Sequence, residues 1–135
     1  MEEKRLSRYK EKISMIVKRR DNISSWIGER SEKSTLAVYK AYQEMMEGFT
    51  DIFAMILKDM GELVEDDYTN IERLGEKGLL DEDQEALMKE GNGLRNRLVH
   101  GYNGLERKIA LESIERINSR VDEVLEGIRK WIRRQ

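Results

Sequence analysis

Residues 42–63 read YQEMMEGFTDIFAMILKDMGEL, and this stretch carries the strongest structural pattern in the sequence. Its apolar residues recur every three or four positions, which is the spacing of one face of an α-helix. They are Tyr42, Met45, Met46, Phe49, Ile52, Phe53, Ile56, Met60 and Leu63. So wide a stripe predicts a largely buried helix in which the methionines fill the core. We expect Ser31 or Ser34 to cap its start.

Helical spacing also dominates the rest of the chain. The expected helices cover residues 4–26, 66–74, 81–98 and about 106–131, and the last has a clean apolar seam. Asp81 followed by Gln84 is a capping-box pattern for the third of these helices. No segment alternates with a period of two, and the 135 residues contain no proline to interrupt a helix.

These patterns predict an all-α fold. We expect an antiparallel up-and-down helical bundle of four main helices plus a short extra helix. The length is that of one ordinary domain, and no linker or repeat is visible, so residues 1–135 are expected to form a single domain.

Composition excludes several classes of function. The chain has no cysteine and one histidine, which rules out disulfides, thiolate chemistry and a multi-histidine metal site within one chain. The acidic run at Asp81, Glu82, Asp83 and Glu85 is explained better by helix capping and the helix dipole than by metal binding. We therefore predict no metal site and no cofactor. No apolar run approaches the roughly 20 residues of a membrane span, so a cytoplasmic protein without membrane contact is expected.

Charge is distributed unevenly along the chain. Residues 1–20 carry a net charge of +5, residues 21–94 carry −11 and residues 95–135 carry +4. In an up-and-down bundle the two basic ends would pack side by side and form a basic face for a polyanion. The alternative is that they are ordinary solvated helix faces.

The segment that points to chemistry is residues 93–103, GLRNRLVHGYN. Asn96 and His100 are four positions apart and would share a helical face. An imidazole beside arginines combines a proton carrier with phosphate-binding cations, which is what phosphodiester cleavage requires. The alternative is a histidine that ends a helix beside surface arginines.

A single histidine is too few for the complete reaction. Cleavage of RNA through its own 2′-hydroxyl needs a base for that hydroxyl and an acid for the leaving 5′-oxygen. A symmetric dimer that brings two copies of the segment together would supply both, so a nuclease with this sequence is expected to be a homodimer.

The pattern Arg95-Asn96-x-x-x-His100-x-Tyr102 resembles the signature of HEPN domains, and in particular that of their HepT-type branch. Further similarity lies in the Gly-Leu-Leu at residues 78–80 and in the helix that starts near Glu106. The likeness covers the chain from about residue 30, while in the first helix only the amphipathic pattern agrees.

The resemblance implies a small all-α bundle that acts as a metal-independent endoribonuclease toxin on RNA, with a minimal nucleotidyltransferase as its antitoxin. It implies that Arg95 and His100 form the catalytic pair in a cleft between two protomers. Asn96 would orient the motif or contact phosphate, and Tyr102 matches the tyrosine that the nucleotidyltransferase adenylylates in some members. Arg97 is a variable position of the motif and receives no role.

Two rival functions remain open at the sequence level. The bundle could be a non-catalytic module that docks with the nucleotidyltransferase and is modified by it, or a purely structural bundle. Trp26 and Trp131 could stack nucleobases, but their positions beside apolar stripes favour packing.

Overall fold

The computed structural model describes residues 1–101 and 106–135, and the regular elements within these ranges are all α-helices. The helices are α1 (Glu3–Trp26), α2 (Glu32–Asp59), α3 (Asp67–Glu76), α4 (Glu82–His100), α5 (Arg107–Asn118) and α6 (Val121–Arg133). Because α5 and α6 together occupy the place of the predicted last helix, the expected bundle of four main helices and a short one is confirmed.

Side-chain caps start three of the helices where the sequence predicted. The hydroxyl of Ser31 accepts from the backbone N–H of Ser34, and the side chain of Ser34 accepts from the N–H of Ser31 in return. Asp81 and Gln84 form the same reciprocal pair at α4. Asp66 caps α3 by accepting from the N–H of Thr69 at 2.9 Å. Each cap satisfies a backbone donor that the helix itself leaves without a partner.

The helix α2 ends earlier than its apolar stripe predicts. Gly61 adopts a left-handed φ of 78°, and the N–H of Glu62 turns back to the carbonyl of Leu57 at 2.9 Å. This is the usual way in which a glycine terminates a helix. Leu63 therefore lies beyond the helix and is 63% exposed, so its assignment to the buried stripe was wrong.

The predicted last helix is interrupted between α5 and α6. The N–H of Arg120 bonds to the carbonyl of Ile117, three residues back, and the hydroxyl of Ser119 bonds to the carbonyl of Arg116 at 2.7 Å. The apolar seam continues across the break, with Ile117 and Val121 both fully buried. A regular apolar seam therefore does not reveal the break.

The two longest helices, α1 and α2, pack against each other in opposite directions. Their ion pairs run in opposite order along the two helices: Arg5–Asp59 at 2.9 Å, Lys12–Asp51 at 2.8 Å and Arg19–Glu44 at 2.5 Å. The core between them includes the fully buried Tyr9, Ile16, Phe49 and Phe53. This pair provides much of the buried apolar area on which the free energy of folding depends.

The two basic ends of the chain lie side by side, because α1 packs against α6. The rings of Tyr9 and Trp131 meet edge to face, with centroids 5.8 Å apart. Lys10 of α1 and Arg129 of α6 line one groove between their helices. Within the described parts of the chain, no helix has the length and apolar character needed to cross a lipid bilayer.

Gly48 marks the closest approach of α1 to α2. A β-carbon at this position would lie 2.7 Å from Cγ1 of the fully buried Ile16. We predict that Gly48→Ala lowers the free energy of unfolding by about 1 kcal/mol, because an overpacking cost of about 1–3 kcal/mol exceeds the gain of up to about 1 kcal/mol in helix propensity. Chemical denaturation measures this change.

Gly28→Ala is the matched control, because nothing lies within 4 Å of the position that its β-carbon would take. An equal or higher stability of Gly48→Ala relative to wild type would show that the two helices are not in close contact here.

Candidate functional site

The predicted site residues lie on the C-terminal half of α4. The helix continues to His100 and is ended by Gly101, which adopts a left-handed conformation (φ 63°, ψ 37°) and donates its N–H to the carbonyl of Arg97. Asn96 and His100 therefore share one helical face, as predicted. Arg95 and His100, five positions apart, lie about 140° from each other around the helix axis. A single α4 thus presents the arginine and the histidine on different sides.

A buried hydrogen bond sets the position of α4 against α2. The hydroxyl of Tyr42 donates to the carbonyl oxygen of Gly91 at 2.7 Å. Burial raises the pKa of Tyr42, so the phenol remains protonated and available as a donor. A β-carbon at Gly91 would lie 3.0 Å from Cε of Met46, so the missing side chain permits the close approach. Arg95 lies about one turn further along the same helix.

Two carboxylates from neighbouring helices hold Arg95. Nη1 lies 3.6 Å from Oε1 of Glu47 on α2, and Nη2 lies 3.4 Å from Oδ2 of Asp67 on α3. The side chain of Arg95 is only 18% exposed. Its Nε is buried and has no hydrogen-bond partner among the described residues. The guanidinium is thus fixed where α2, α3 and α4 meet, while part of the side chain still reaches solvent.

The remaining motif residues become more exposed towards the end of α4. Asn96 is half-buried, and Arg97 and His100 are exposed on the surface of the chain. Arg97 and His100 are the basic residues of the last helical turn, where the helix dipole favours positive charge. Tyr102, the predicted adenylylation site, lies outside the described residues.

Asn92 is a residue of this site that the sequence analysis did not single out. It is 1% exposed, and neither its amide nitrogen nor its amide oxygen has a hydrogen-bond partner among the described residues. Asn92, Asn96 and His100 follow each other at intervals of four, so a polar stripe runs along α4 from the core to the surface. That spacing is visible in the sequence and could have revealed the stripe.

Glu47 and Asp67 are also absent from the sequence prediction. Asp67 lies in the first turn of α3, where acidic residues are explained by the helix dipole alone. No short-range pattern links either carboxylate to Arg95, because both contacts depend on how the helices pack.

The acidic residues at the start of α4 serve the helix terminus. Asp81 is the N-cap, and Glu82, Asp83 and Glu85 fill the first turn. Glu85 lies 3.4 Å from Lys89, one turn later. In residues 1–101 and 106–135, no group of three or more histidine or acidic side chains is arranged to hold a metal ion.

The sequence of this chain matches a known protein family. The family described as ribonuclease HepT-like matches residues 7–128, which span most of the chain from α1 to α6. The chain belongs to the HepT-like family. The match also extends the similarity into α1, where the motif-based resemblance rested on amphipathic character alone.

Two relatives from Archaeoglobus fulgidus match this HepT-like chain over nearly its full length. One is 40% identical over 131 residues, covering 92% of this chain and 98% of the relative. The other is 36% identical over 129 residues, covering 96% and 94%. Both carry the name "Putative RNase".

The fold is also that of a solved HEPN protein. The HepT-like bundle aligns with a tri-AMPylated Shewanella oneidensis HEPN toxin in complex with MNT antitoxin, with a TM-score of 0.72 and 20% sequence identity. The alignment covers 94% of this chain and 99% of that one. The all-α architecture predicted from the resemblance is therefore confirmed.

The ion pair between Arg95 and Asp67 should be measurable as a coupling. In a double-mutant cycle of Arg95→Gln and Asp67→Asn, followed by chemical denaturation, we expect a coupling free energy of about 0.5–1 kcal/mol, since the pair is only partly exposed. A matched cycle of Arg95→Gln with Asp83→Asn, at the far end of α4, should give no coupling. Equal couplings in the two cycles would contradict the geometry of the site.

Proposed function

We propose that this HepT-like chain is a metal-independent endoribonuclease toxin that cleaves single-stranded RNA at a site shared by two copies of the chain. The observation that carries the proposal is the placement of Arg95. Carboxylates of two neighbouring helices hold its guanidinium, and the helix that carries it ends in the exposed His100. A positioned guanidinium and an imidazole, brought together from two copies of the chain, suit the binding and cleavage of a phosphodiester. Family membership and the names of the two relatives support the same activity.

The proposed reaction uses the 2′-hydroxyl of the RNA as the nucleophile. His100 of one protomer removes the proton from this hydroxyl, and the 2′-oxygen then forms a bond to the adjacent phosphorus. The bond from phosphorus to the 5′-oxygen breaks, and protonated His100 of the second protomer donates its proton to that oxygen. The products are a 2′,3′-cyclic phosphate and a free 5′-hydroxyl.

In this mechanism Arg95 binds the non-bridging phosphate oxygens and stabilises the charge of the pentavalent transition state. A guanidinium is suited to this role because it stays charged and offers paired donors to phosphate. Asn96, on the same face as His100, would orient the motif or contact the phosphate.

The geometry of a single α4 supports the proposed homodimer. One chain offers one histidine, and its Arg95 points about 140° away from it around the helix. If the ends of two α4 helices meet across a two-fold axis, each phosphate can contact residues of both copies. The exposed Val99 beside His100 supplies an apolar surface for such a contact.

We further propose that a minimal nucleotidyltransferase is the antitoxin and that Tyr102 is its modification site. The described toxin of similar fold is AMPylated and in complex with MNT antitoxin, which supports this partner. An adenylate on Tyr102 would add bulk and negative charge two residues from His100. Repulsion of the RNA phosphates would then inhibit binding.

One observation favours a second candidate, a non-catalytic docking module. Glu47 and Asp67 already neutralise Arg95, so an incoming phosphate must compete with two carboxylates. In that case the end of α4 would serve only as the surface that the nucleotidyltransferase recognises and modifies.

Cleavage of single-stranded RNA in the presence of EDTA tests the proposal. We expect the wild-type protein to produce cyclic phosphate ends, and His100→Ala to lower the rate at least about 100-fold, because it removes the only imidazole of each chain. Gel analysis of the products and end-group analysis measure both effects. Arg95→Ala should lower the rate as well.

Lys33→Ala, an exposed cation at the start of α2, is the control and should retain wild-type activity. Circular dichroism and light scattering should show that each variant keeps its fold and its dimeric mass. RNA cleavage that survives His100→Ala would disprove the assignment. A wild-type protein without RNase activity that still binds the nucleotidyltransferase through Arg95 would favour the docking module.

A further inference from the structure

Tyr68 differs from the other aromatic residues in its exposure. Its surface is 41% exposed, and it is the one aromatic residue among the exposed large hydrophobic residues of the described chain. Trp26 and Trp131, the aromatic residues that the sequence offered for base stacking, instead pack against the core. Proteins that bind unpaired nucleotides commonly stack the bases on accessible aromatic side chains, and Tyr68 provides such a ring.

The position of Tyr68 connects it to Arg95. It lies in the first turn of α3, directly after Asp67, whose carboxylate is 3.4 Å from the guanidinium of Arg95. Its hydroxyl lies against α4, because a β-carbon at Gly93 would be only 3.1 Å from it. Gly93, Arg97 and His100 are spaced by four and three, so they share a face of α4. Tyr68 therefore borders the same face of α4 as the exposed motif residues.

The surroundings of Tyr68 suit a nucleobase. Leu63 and Val64, in the connection between α2 and α3, are also exposed apolar side chains a few residues before it. Of the acidic residues that precede Tyr68, Asp67 pairs with Arg95 and Glu65 pairs with Arg73, while Asp66 caps α3. The exposed ring of Tyr68 and the guanidinium bound by the adjacent Asp67 are the two kinds of group that proteins combine to bind single strands, where the ring stacks on a base and the cation contacts the backbone.

We propose that Tyr68 forms a nucleobase-binding subsite, in which its ring stacks on an unpaired base next to the phosphate held by Arg95. This inference rests on the proposed ribonuclease function and adds a binding residue to it. Stacking tolerates different bases, because every base presents a π-face, so the subsite selects unpaired RNA over duplex RNA rather than one sequence over another.

The test measures the affinity of short single-stranded oligoribonucleotides for the full chain carrying His100→Ala, which prevents cleavage during the titration. In this background Tyr68→Leu should weaken binding roughly 5- to 100-fold, because an aliphatic side chain has no stacking face. Tyr68→Phe keeps the ring and should bind within about twofold of the parent. Fluorescence anisotropy of labelled RNA gives the dissociation constants, and thermal melts verify that the variants are folded.

A series of RNAs with one abasic nucleotide at successive positions identifies the stacked base. One position should weaken binding to the parent protein by the same factor as Tyr68→Leu, and the combination of the two changes should cost no more than either alone. This loss of additivity would not arise if Tyr68 only supported the fold.

The possible outcomes separate the two proposals. Equal affinities of the Tyr68→Leu and Tyr68→Phe proteins, or additive effects of Tyr68→Leu and every abasic position, would overturn the stacking subsite while leaving the ribonuclease proposal intact. A protein that neither binds nor cleaves single-stranded RNA would overturn both.

Discussion

The contact between Tyr42 and Gly91 is the constraint on which the rest of the site depends. A buried phenol donates to the backbone of α4 at a residue without a side chain, and the two helices approach closely as a result. Burial raises the pKa of this phenol, so it keeps its proton and its role as a donor at neutral pH. Arg95 follows about one turn later on the same helix, so this contact helps to place its backbone beside α2.

Arg95 in turn links three helices. Its two carboxylate partners come from α2 and α3, so the cation is held by the tertiary fold rather than by α4 alone. This arrangement orients a long, flexible side chain before any ligand binds and reduces the entropy that would otherwise be lost on binding. The carboxylates also compete with any anion that approaches Arg95.

Local patterns in the sequence were sufficient to predict the helices and their caps. The apolar stripe of α2 and the pairing of Asp81 with Gln84 depend on residues within a few positions of each other, and both are present in the structure. The end of α2 was missed because Leu63 keeps the apolar spacing beyond Gly61 although it is exposed. The break before Val121 was missed because the buried seam continues across it. Gly61 was the residue that indicated the end of α2.

In the candidate site, too, the features that depend on local spacing were predicted and those that depend on helix packing were not. The shared face of Asn96 and His100 follows from their spacing alone, and the motif led to the correct family. The contact of Arg95 with Asp67 joins residues 28 positions apart, and its existence depends on how α3 packs on α4. The exposure of Tyr68 depends equally on packing, since its sequence neighbours do not distinguish it from a core aromatic residue.

The buried position of Asn92 has a consequence for the composition of α4. An amide that leaves bulk water costs about 1–3 kcal/mol unless it finds hydrogen-bond partners, which is a sizeable share of the 5–15 kcal/mol that typically separates a folded domain from its unfolded state. An apolar side chain of similar shape has no such requirement, and position 92 is only 1% exposed. Stability alone therefore does not explain an amide at the buried end of the helix that carries the histidine.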